Sequence, residues 1–328
     1  MGIMTEEYMA NKKKGCILVT GGAGFIGSHL CEYLLKADYK VVCVDNFNSF
    51  YAPGIKERNI SAITNREDFN LFRADIRDKS GLAEIFKESK PDLVIHLAAM
   101  AGVRPSIADP FLYYDVNVNG TLTVLETMRR FGVRRMVFAS SSSVYGNNSK
   151  LPFSESDAVN SPISPYASSK RACELLCSTY HSLYHFDIFC LRFFTVYGPR
   201  QRPDLAIHSF TNKILENRPI QIYGDGNSVR DYTYIDDTLQ GIYNSISRLK
   251  GFDIYNIGES RKISLTEVIE TIENALGKKA TKEFLPSQAG DVNATFADIS
   301  KARKELDYDP SFDFKKGIAE FIRWKLGN

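Results

Sequence analysis

The stretch from Gly15 to Asp45 decides the fold of this chain, and it reads GCILVTGGAGFIGSHLCEYLLKADYKVVCVD. Cys16 to Val19 is a short apolar run of the kind that forms a fully buried strand. Leucines at helical spacing follow three glycines, and a second apolar run, Val41 to Val44, leads into Asp45. A strand, a glycine-rich turn, a helix and a parallel strand together form a βαβ unit.

Gly21, Gly24 and Gly27 have the Gly-x-x-Gly-x-x-Gly spacing of a dinucleotide-binding turn. The first permits the tight turn, the second lets the backbone approach a pyrophosphate, and the third lets helix and strand pack closely. The pyrophosphate would lie at the helix N-terminus, where unpaired N–H groups and the helix dipole favour an anion. Asp45 is placed to bind an adenosine ribose, and its charge would repel a 2′-phosphate. We therefore predict NAD rather than NADP, the alternative being a turn without a ligand.

The composition excludes several classes of protein. The length of 328 residues suits about two domains, and a net charge of +2 favours neither a nucleic acid nor a membrane surface as partner. No apolar run approaches the roughly 20 residues that cross a bilayer, and residues 1–14 lack the apolar core of a signal peptide. The six cysteines fall inside predicted strands and helices without a Cys-x-x-Cys pair. We therefore expect a cytoplasmic protein whose cysteines are reduced and buried.

Strands and helices alternate through the first part of the chain, which is typical of a doubly wound parallel α/β sheet, the Rossmann fold. The longest helical pattern there covers about 110–131. We predict an NAD-binding domain over 1–195 and a smaller, interleaved α/β substrate domain over 196–328. Apolar segments within 231–257 could return to the main sheet. The substrate would lie in the cleft between the two domains.

Tyr166 and Lys170 lie one turn apart on a predicted helix over 166–185 and so share a face. A phenol is a poor base at neutral pH, but a nearby ammonium and a positively charged nicotinamide ring favour the phenolate. The serine run 140–143 follows a strand whose carboxyl end opens on the cofactor crevice, so Ser141 could share a proton with a substrate hydroxyl. These groups suit the reversible oxidation of a secondary alcohol with NAD. A surface pair without chemistry is the alternative.

The same helix predicts a partner subunit, because it is apolar on two sides. The two stripes are Ala172, Leu175, Leu176 and Leu183, and Cys173, Cys177, Tyr180 and Tyr184. One stripe can cover the sheet and the other needs another partner, which paired helices of a homodimer would supply. His181 and His185 are one turn apart but lack a third ligand, so we predict no metal site.

Several motifs together resemble the extended short-chain dehydrogenases/reductases, and among these the nucleotide-sugar 4-epimerases. The motifs are Thr20-Gly21-x-x-Gly24-x-x-Gly27, Asp75 to Asp78, His96-Leu97-Ala98-Ala99, Asn117, the serine run, and Tyr166 with Lys170. The resemblance covers nearly the whole chain. It implies a homodimer with tightly held NAD that converts a UDP-sugar through a 4-keto intermediate. It also implies Tyr166 as catalytic base, Lys170 as its modulator, and Ser141 and Ser142 as catalytic hydroxyls.

The resemblance and the crevice position together give the candidate binding residues. The candidates for the cofactor are Gly21, Gly24, Phe25, Ile26, Gly27, Asp45, Asn46, Asn48, Ser49, Asp75, Ile76, Leu97, Ala98, Ala99, Asn117, Tyr166, Lys170 and Phe193. The candidates for the substrate are Arg104, Ser141, Ser142, Thr195, Arg202, Gln221, Tyr223 and Arg230. Gln221 and Tyr223 would contact the uridine and Arg230 the diphosphate. Many relatives carry an arginine where this chain has Gln288, three residues before Asp291, so a second diphosphate anchor is not expected.

The choice of reaction and sugar rests on fewer residues. Dehydratases and decarboxylases that share the ketone intermediate look to carry an acid in or after the serine run, and this chain has none there. The segments 101–104 and 194–204 resemble UDP-glucuronate 4-epimerases more than glucose or N-acetylglucosamine ones. A C6 carboxylate calls for a planar, permanently charged group, which Arg202 or Arg200 could provide, and the resemblance favours Arg202. The alternatives are an epimerase for neutral UDP-hexoses or their N-acetyl forms, and a non-catalytic NAD-binding scaffold.

Overall fold

The structure, a computed structural model, describes residues 14–286 and 294–327. The predicted polar leader therefore lies almost wholly outside the described residues. The strands are β1 Cys16–Thr20, β2 Lys40–Val44, β3 Phe69–Phe72, β4 Leu93–His96, β5 Arg135–Ser141, β6 Asp187–Phe193, β7 Thr195–Tyr197, β8 Ile220–Tyr223, β9 Val229–Arg230, β10 Tyr232–Tyr234, β11 Phe252–Ile257, β12 Ile263–Ser264 and β13 Lys282–Leu285. The α-helices are α1 Phe25–Lys36, α2 Pro53–Ile60, α3 Lys79–Ser89, α4 Val103–Ala108, α5 Pro110–Tyr114, α6 Gly120–Phe131, α7 Pro165–Tyr184, α8 Ala206–Leu215, α9 Ile235–Arg248, α10 Leu265–Leu276, α11 Ser300–Leu306 and α12 Phe314–Leu326.

Seven parallel strands form the main sheet in the order β11-β6-β5-β4-β1-β2-β3. The central strands β1 and β4 are buried along their whole length because helices cover both faces of the sheet. The chain winds outward from β1 to β3 and then crosses to β4 on the other side of β1. Ligands bind in such sheets at the carboxyl ends of the strands beside this switch point. The predicted doubly wound α/β fold is therefore confirmed.

Three small sheets lie outside the main one, pairing β7 with β10, β9 with β12 and β8 with β13. The expectation that segments of 231–257 return to the main sheet is half right. The strand β11 pairs in parallel with β6, with Phe252 opposite Ile188. The strand β10 does not return to the main sheet. The chain leaves that sheet after β6, and β10 pairs with β7 instead, where the N–H of Thr195 donates to the carbonyl of Asp231 at 2.9 Å. The division into domains at residue 195 stays a prediction.

The predicted helix over 110–131 is confirmed as one continuous helical segment, but it contains a π-helical turn that the sequence did not predict. A π-helical turn, Asp115–Asn119, separates α5 from α6. The carbonyl of Asn117 inside this turn accepts from the hydroxyl of Thr121 at 2.5 Å and from the thiol of Cys173 at 3.2 Å. These side-chain donors support a backbone turn that side-chain periodicity does not reveal. None of the helices in the described residues combines the length and hydropathy of a membrane span.

A buried carboxylate fixes α7 against the sheet. Glu174 accepts from the hydroxyl of Ser140 on β5 at 2.6 Å, and from Nε and Nη2 of Arg192 on β6, each at 2.9 Å. One turn earlier, the ammonium of Lys170 donates to the carbonyl of Ala139 at 2.7 Å. Burial by itself would raise the pKa of Glu174, but the hydrogen bonds from Arg192, Ser140 and Arg171 outweigh it and lower that pKa. The helix therefore has one register relative to β5 and β6.

We expect Glu174→Leu and Arg192→Met each to lower the free energy of unfolding by about 3–5 kcal/mol, because each removes one partner of a buried ion pair. Glu174→Leu leaves the guanidinium of Arg192 without its carboxylate, and Arg192→Met leaves Glu174 with only the partly exposed Arg171 as a charged partner. The double variant should recover most of this loss, since an apolar pair of similar volume replaces the ions. Urea unfolding followed by circular dichroism measures both effects. The control is Glu84→Ala, which breaks an exposed pair with Lys87 and should cost less than about 1 kcal/mol. A double variant as unstable as the sum of the single ones contradicts the expectation.

Candidate active site

The carboxyl ends of the main-sheet strands open on one cavity of about 390 Å³. Most of the predicted site residues line it. They are Gly21, Gly24, Phe25, Ile26, Gly27, Asp45, Asn46, Asn48, Ile76, Leu97, Ala98, Ala99, Ser141, Ser142, Tyr166, Lys170, Phe193, Thr195 and Arg202. The predicted residues that are not part of this lining are Ser49, Asp75, Arg104, Asn117, Gln221, Tyr223 and Arg230. The first set joins the glycine turn, the serine run and the Tyr166 helix around a single space.

The glycine turn has no room for side chains. Gly21 adopts a φ of +70°, and a Cβ on it would lie 2.8 Å from the backbone nitrogen of Ala98. A Cβ on Gly27 would lie 2.2 Å from the carbonyl oxygen of Gly21. Gly24 caps α1 without a side-chain hydrogen bond, so the first N–H groups of this 12-residue helix face the cavity end of the turn. This backbone geometry fits the pyrophosphate of a dinucleotide.

Asp45 keeps an acceptor site for a ribose hydroxyl. Its Oδ1 accepts from the N–H of Phe47 at 2.8 Å and from the ammonium of Lys56 at 3.0 Å. Its Oδ2 accepts only the N–H of Ala23, at 3.2 Å, among the residues that the structure describes. Each carboxylate oxygen has two lone pairs, so Oδ2 can accept one more hydrogen bond. The residues around Asp45 therefore fit an adenosine ribose.

Phe50, Tyr51 and Lys56 are among the cavity residues that the sequence did not single out. Lys56 comes from α2, whose amphipathic pattern is weak, so no sequence signal placed its ammonium beside Asp45. Asp75 lies next to the cavity, with both of its oxygens bonded to Arg77. The guanidinium of Arg77 lowers the pKa of Asp75 to about 2, and the amide of Asn46 contributes. The predicted contact of Asp75 with adenine stays a prediction.

The reactive end of the cavity joins Tyr166, Lys170 and Ser141. Lys170 is only 4% exposed, and its ammonium lies 4.9 Å from the centre of the Phe138 ring. The Tyr–Lys pair is therefore not a surface pair. The hydroxyl of Ser141 accepts from the N–H of Ser143 at 3.2 Å, which fixes its position at the end of β5. A phenol, an ammonium and a serine hydroxyl that line one space can move a proton to and from a sugar hydroxyl.

Arg202 lines the same cavity from the loop after β7. Two contacts anchor this loop to α1, the helix that begins at the glycine turn. Arg200 donates to Glu32 at 2.6 Å, and His29 bonds to the carbonyl of Pro199 at 2.9 Å. Arg200 is thus paired with Glu32 on α1, whereas Arg202 lines the cavity and Arg200 does not. The preference for Arg202 over Arg200 agrees with this placement.

The remaining substrate candidates are Arg104 on α4 and three residues of the C-terminal part. The guanidinium of Arg104 lies over the ring of Tyr223, 4.4 Å from its centre. Gln221 is two residues earlier on β8 and accepts from Lys213 at 3.4 Å. Arg230, on β9, donates to the carbonyl of Val229. Gln288 and Asp291 lie outside the described residues. The predicted nucleotide contacts of this group stay predictions.

Comparisons with known proteins match nearly the whole chain. A family model described as GDP-mannose 4,6 dehydratase matches residues 18–321. An uncharacterized protein from Methanocaldococcus jannaschii is 46% identical over 314 residues, covering 95% of this chain and 96% of that protein. UDP-glucuronate 4-epimerase from Thermodesulfobacterium geofontis is 44% identical over 315 residues, covering 96% of this chain and 97% of that protein. The chain belongs to the extended short-chain dehydrogenase/reductase family of NAD-dependent epimerases and dehydratases.

A solved structure of this family agrees with the fold. The crystal structure of UDP-glucuronic acid 4-epimerase from Bacillus cereus, in complex with UDP-glucuronic acid and NAD, aligns with a TM-score of 0.90 and 40% identity. The alignment covers 95% of this chain and 100% of the Bacillus cereus chain. The resemblance predicted from the sequence motifs is therefore confirmed.

A buried network in this extended short-chain dehydrogenase/reductase links the glycine turn to the Tyr166 helix. His96 bonds through Nδ1 to the hydroxyl of Thr20 at 2.6 Å and through Nε2 to that of Thr121 at 3.1 Å. Because the hydroxyl of Thr121 donates to a carbonyl, it accepts from Nε2, and Nδ1 accepts from Thr20. Asn117 continues the network to the Met100 backbone and to Ser169 on α7. Asn117 thus lies behind the cavity, where it supports both walls.

We expect His96 to make stability depend on pH. Burial, with a smaller effect of the Lys170 charge, lowers the pKa of His96 to about 3. The unfolded chain, with an ordinary histidine pKa near 6.5, binds this proton first, so the stabilisation is complete above pH 6.5 and is lost as pH falls toward 3. This proton should change the free energy of unfolding by about 1.4 kcal/mol per pH unit between pH 6 and pH 4. Urea unfolding of the wild type and His96→Gln across this range measures the slope.

The His96→Gln variant should lose this part of the slope. His29, whose pKa burial lowers to about 4, contributes in the same direction and remains in the variant. His185→Gln changes an exposed histidine after α7 and serves as the control. Equal slopes for wild type and His96→Gln would contradict a neutral, buried His96.

Proposed function

We propose that this protein is a UDP-glucuronate 4-epimerase, which interconverts UDP-glucuronate and UDP-galacturonate with bound NAD. The observation that carries the proposal is that Arg202, Tyr166 and Ser141 line one cavity with the glycine turn. A guanidinium is the group that best recognises a sugar carboxylate, and the other two suit oxidation of a secondary alcohol. The relatives named above as UDP-glucuronate 4-epimerases support this choice of sugar.

NAD is the proposed cofactor because the residues around the turn fit it. Gly21, Gly24 and Gly27 leave space for the pyrophosphate, and Asp45 would bind the adenosine ribose. Lys170 would hold the nicotinamide ribose, and Phe193 would border the nicotinamide ring. When bound, NAD takes a hydride from C4 of the sugar and later returns it to the opposite face of that carbon.

The residues of the chain manage the proton and the sugar. Tyr166 would accept the proton of the C4 hydroxyl, and Ser141 would donate a hydrogen bond to the oxygen that becomes the ketone. Lys170, held by the Ala139 carbonyl, stabilises negative charge on the phenol oxygen. The 4-keto sugar then turns over inside the cavity, and Tyr166 returns the proton from the same position. One acid–base group therefore serves both directions.

The cavity argues against loss of water as the main reaction. Among the lining residues in the described part of the chain, Asp45 is the carboxylate. It follows β2, which is three strand positions away from β5, or roughly 14 Å at about 4.8 Å per strand. A dehydratase needs an additional acid and base at the sugar. Epimerisation needs only the groups that lie there.

We also propose that the protein is a homodimer in a reducing cytoplasm. On α7 the stripe that contains Cys173 and Cys177 is buried, whereas Leu175 is 53% and Leu183 62% exposed. Leu122 on the neighbouring α6 is 39% exposed, so the two helices present one apolar face. A second copy of α6 and α7 would cover this face. All six cysteines are free and buried, as expected from the sequence, which suits a reducing compartment.

Analytical ultracentrifugation at micromolar concentration tests the dimer. We expect Leu175→Glu with Leu183→Glu to convert a dimer into a monomer, because two carboxylates would be buried at the interface. The matched control is Phe284→Glu, which changes a 59% exposed aromatic residue on β13. A monomeric wild type contradicts the proposal.

The substrate test uses purified protein and UDP-glucuronate without added cofactor, with products resolved by NMR. We expect UDP-galacturonate, and turnover of UDP-glucose slower by a factor of ten or more, because a neutral sugar cannot pair with Arg202. Tyr166→Phe should lower turnover by about 10²–10⁴-fold while sugar binding remains, because only proton transfer is lost. A pentose product indicates a decarboxylase instead, and faster turnover of UDP-glucose indicates a neutral-sugar epimerase. An inactive wild type that binds NAD would favour the scaffold.

A further inference from the structure

We propose that Asp204 is a positioning residue for sugar recognition, which holds one edge of the Arg202 guanidinium so that Nη1 meets the C6 substituent. This inference rests on the proposed uronate substrate. It replaces the expectation that Arg202 grips the carboxylate with its planar fork.

The pairing of Asp204 with Arg202 is bidentate. Nε of Arg202 donates to Oδ1 of Asp204 at 3.0 Å, and Nη2 donates to Oδ2 at 2.7 Å. The Nε–Nη2 edge of the guanidinium, one of its two edges that suit a planar carboxylate, is therefore already taken by a carboxylate of the chain. Nη2 also donates to the carbonyl of Ala101 at 3.3 Å. Among the residues that the structure describes, Nη1 has no such partner.

The surroundings restrict the guanidinium further. It lies 5.2 Å from the centre of the Phe50 ring, and Phe50 lines the same cavity. The side chain of Arg202 is 17% exposed, whereas that of Asp204 is 39% exposed. Arg202 and Leu205 line the cavity and Asp204 does not. Asp204 therefore holds the guanidinium from the solvent side, and Nη1 remains for the cavity.

The orientation of Arg202 also bears on a side reaction. A 4-keto uronate is a β-keto acid, and it loses carbon dioxide when the C5–C6 bond aligns with the π system of the ketone. In that step the C5–C6 bond breaks, C6 leaves as carbon dioxide, the electron pair of the bond forms an enolate, and water supplies the proton that C5 gains. The resulting 4-keto pentose becomes UDP-pentose when the hydride that was taken from C4 returns to that carbon. A guanidinium fixed by Asp204 keeps the carboxylate in one orientation. A freely rotating Arg202 would leave the carboxylate free to reach the alignment that breaks the bond.

Two measurements on Asp204→Ala test the proposal, with UDP-glucuronate and UDP-glucose as probes. The first is the Kd of each by titration calorimetry with NAD present, in a Tyr166→Phe background that stops turnover. We expect the Kd of UDP-glucuronate to rise roughly tenfold and that of UDP-glucose less than about twofold, since an ordered charged donor becomes mobile. The second, with Tyr166 intact, is the fraction of UDP-pentose among the products, which we expect to rise.

Two further variants complete the experiment. Asp204→Glu keeps a carboxylate beside Arg202 and should restore much of the affinity for UDP-glucuronate that Asp204→Ala loses. If Asp204 only stabilised the loop, the affinity would not depend on a carboxylate at this position. Glu216→Ala is the matched control, because Glu216 pairs with Arg218 at the same two-residue spacing but lies outside the cavity. It should leave the affinity for both sugars unchanged.

Three outcomes overturn the proposal. If Asp204→Ala binds UDP-glucuronate more tightly, Asp204 competes with the substrate instead of positioning its partner. An unchanged Kd, or an equal loss for both sugars, removes its role in recognising the C6 group. The wild type in the same assay tests the proposed function separately: if it does not invert UDP-glucuronate, that function is wrong, while the two Kd values still decide the role of Asp204.

Discussion

The site depends on one buried carboxylate, Glu174, which holds three elements in register. It binds Ser140 on β5 and Arg192 on β6 from its place on α7. In the β5–β6 register, Ser140 lies opposite Arg192, and the next pair is Ser141 and Phe193. The ion pair therefore fixes the candidate catalytic serine and the candidate nicotinamide contact together. Burying two charges is costly, and a well-formed pair offsets the cost without a clear gain in stability, so its value lies in geometry.

The rest of the cavity is built to the same plan, with reactive groups on rigid elements and supporting bonds behind them. A buried hydrogen-bond network runs from the glycine turn to α7 through Thr20, His96, Thr121 and Asn117. The loop that carries Arg202 is tied to α1 through Glu32. The network begins at Thr20 just before the glycine turn, and α1 begins at Phe25 within it, so both groups of contacts connect to this turn. A hydride transfer requires that kind of fixed separation.

Much of the fold follows from local patterns in the sequence. Apolar runs that end in glycine or aspartate predict buried parallel strands, and the Tyr166–Lys170 spacing predicts a shared helix face. What the patterns miss depends on long-range contacts. The π-helical turn around Asn117 exists because side chains from α6 and α7 bond to its carbonyl. The position of β10 depends on where the chain leaves the main sheet after β6, because β10 pairs with β7. Lys56 reaches Asp45 from a helix with no strong periodicity. The spacing of residues along the sequence does not reveal such contacts.

We propose that one carbon of the sugar is oxidised and then reduced by the same hydride within one cavity. The most direct test is to supply UDP-glucuronate carrying deuterium at C4 and to follow that label by NMR in unlabelled water. We expect the product with inverted C4 to keep its deuterium at that carbon. Loss of the label to solvent at the rate of inversion would contradict the hydride mechanism, because the hydrogen would then have left as a proton.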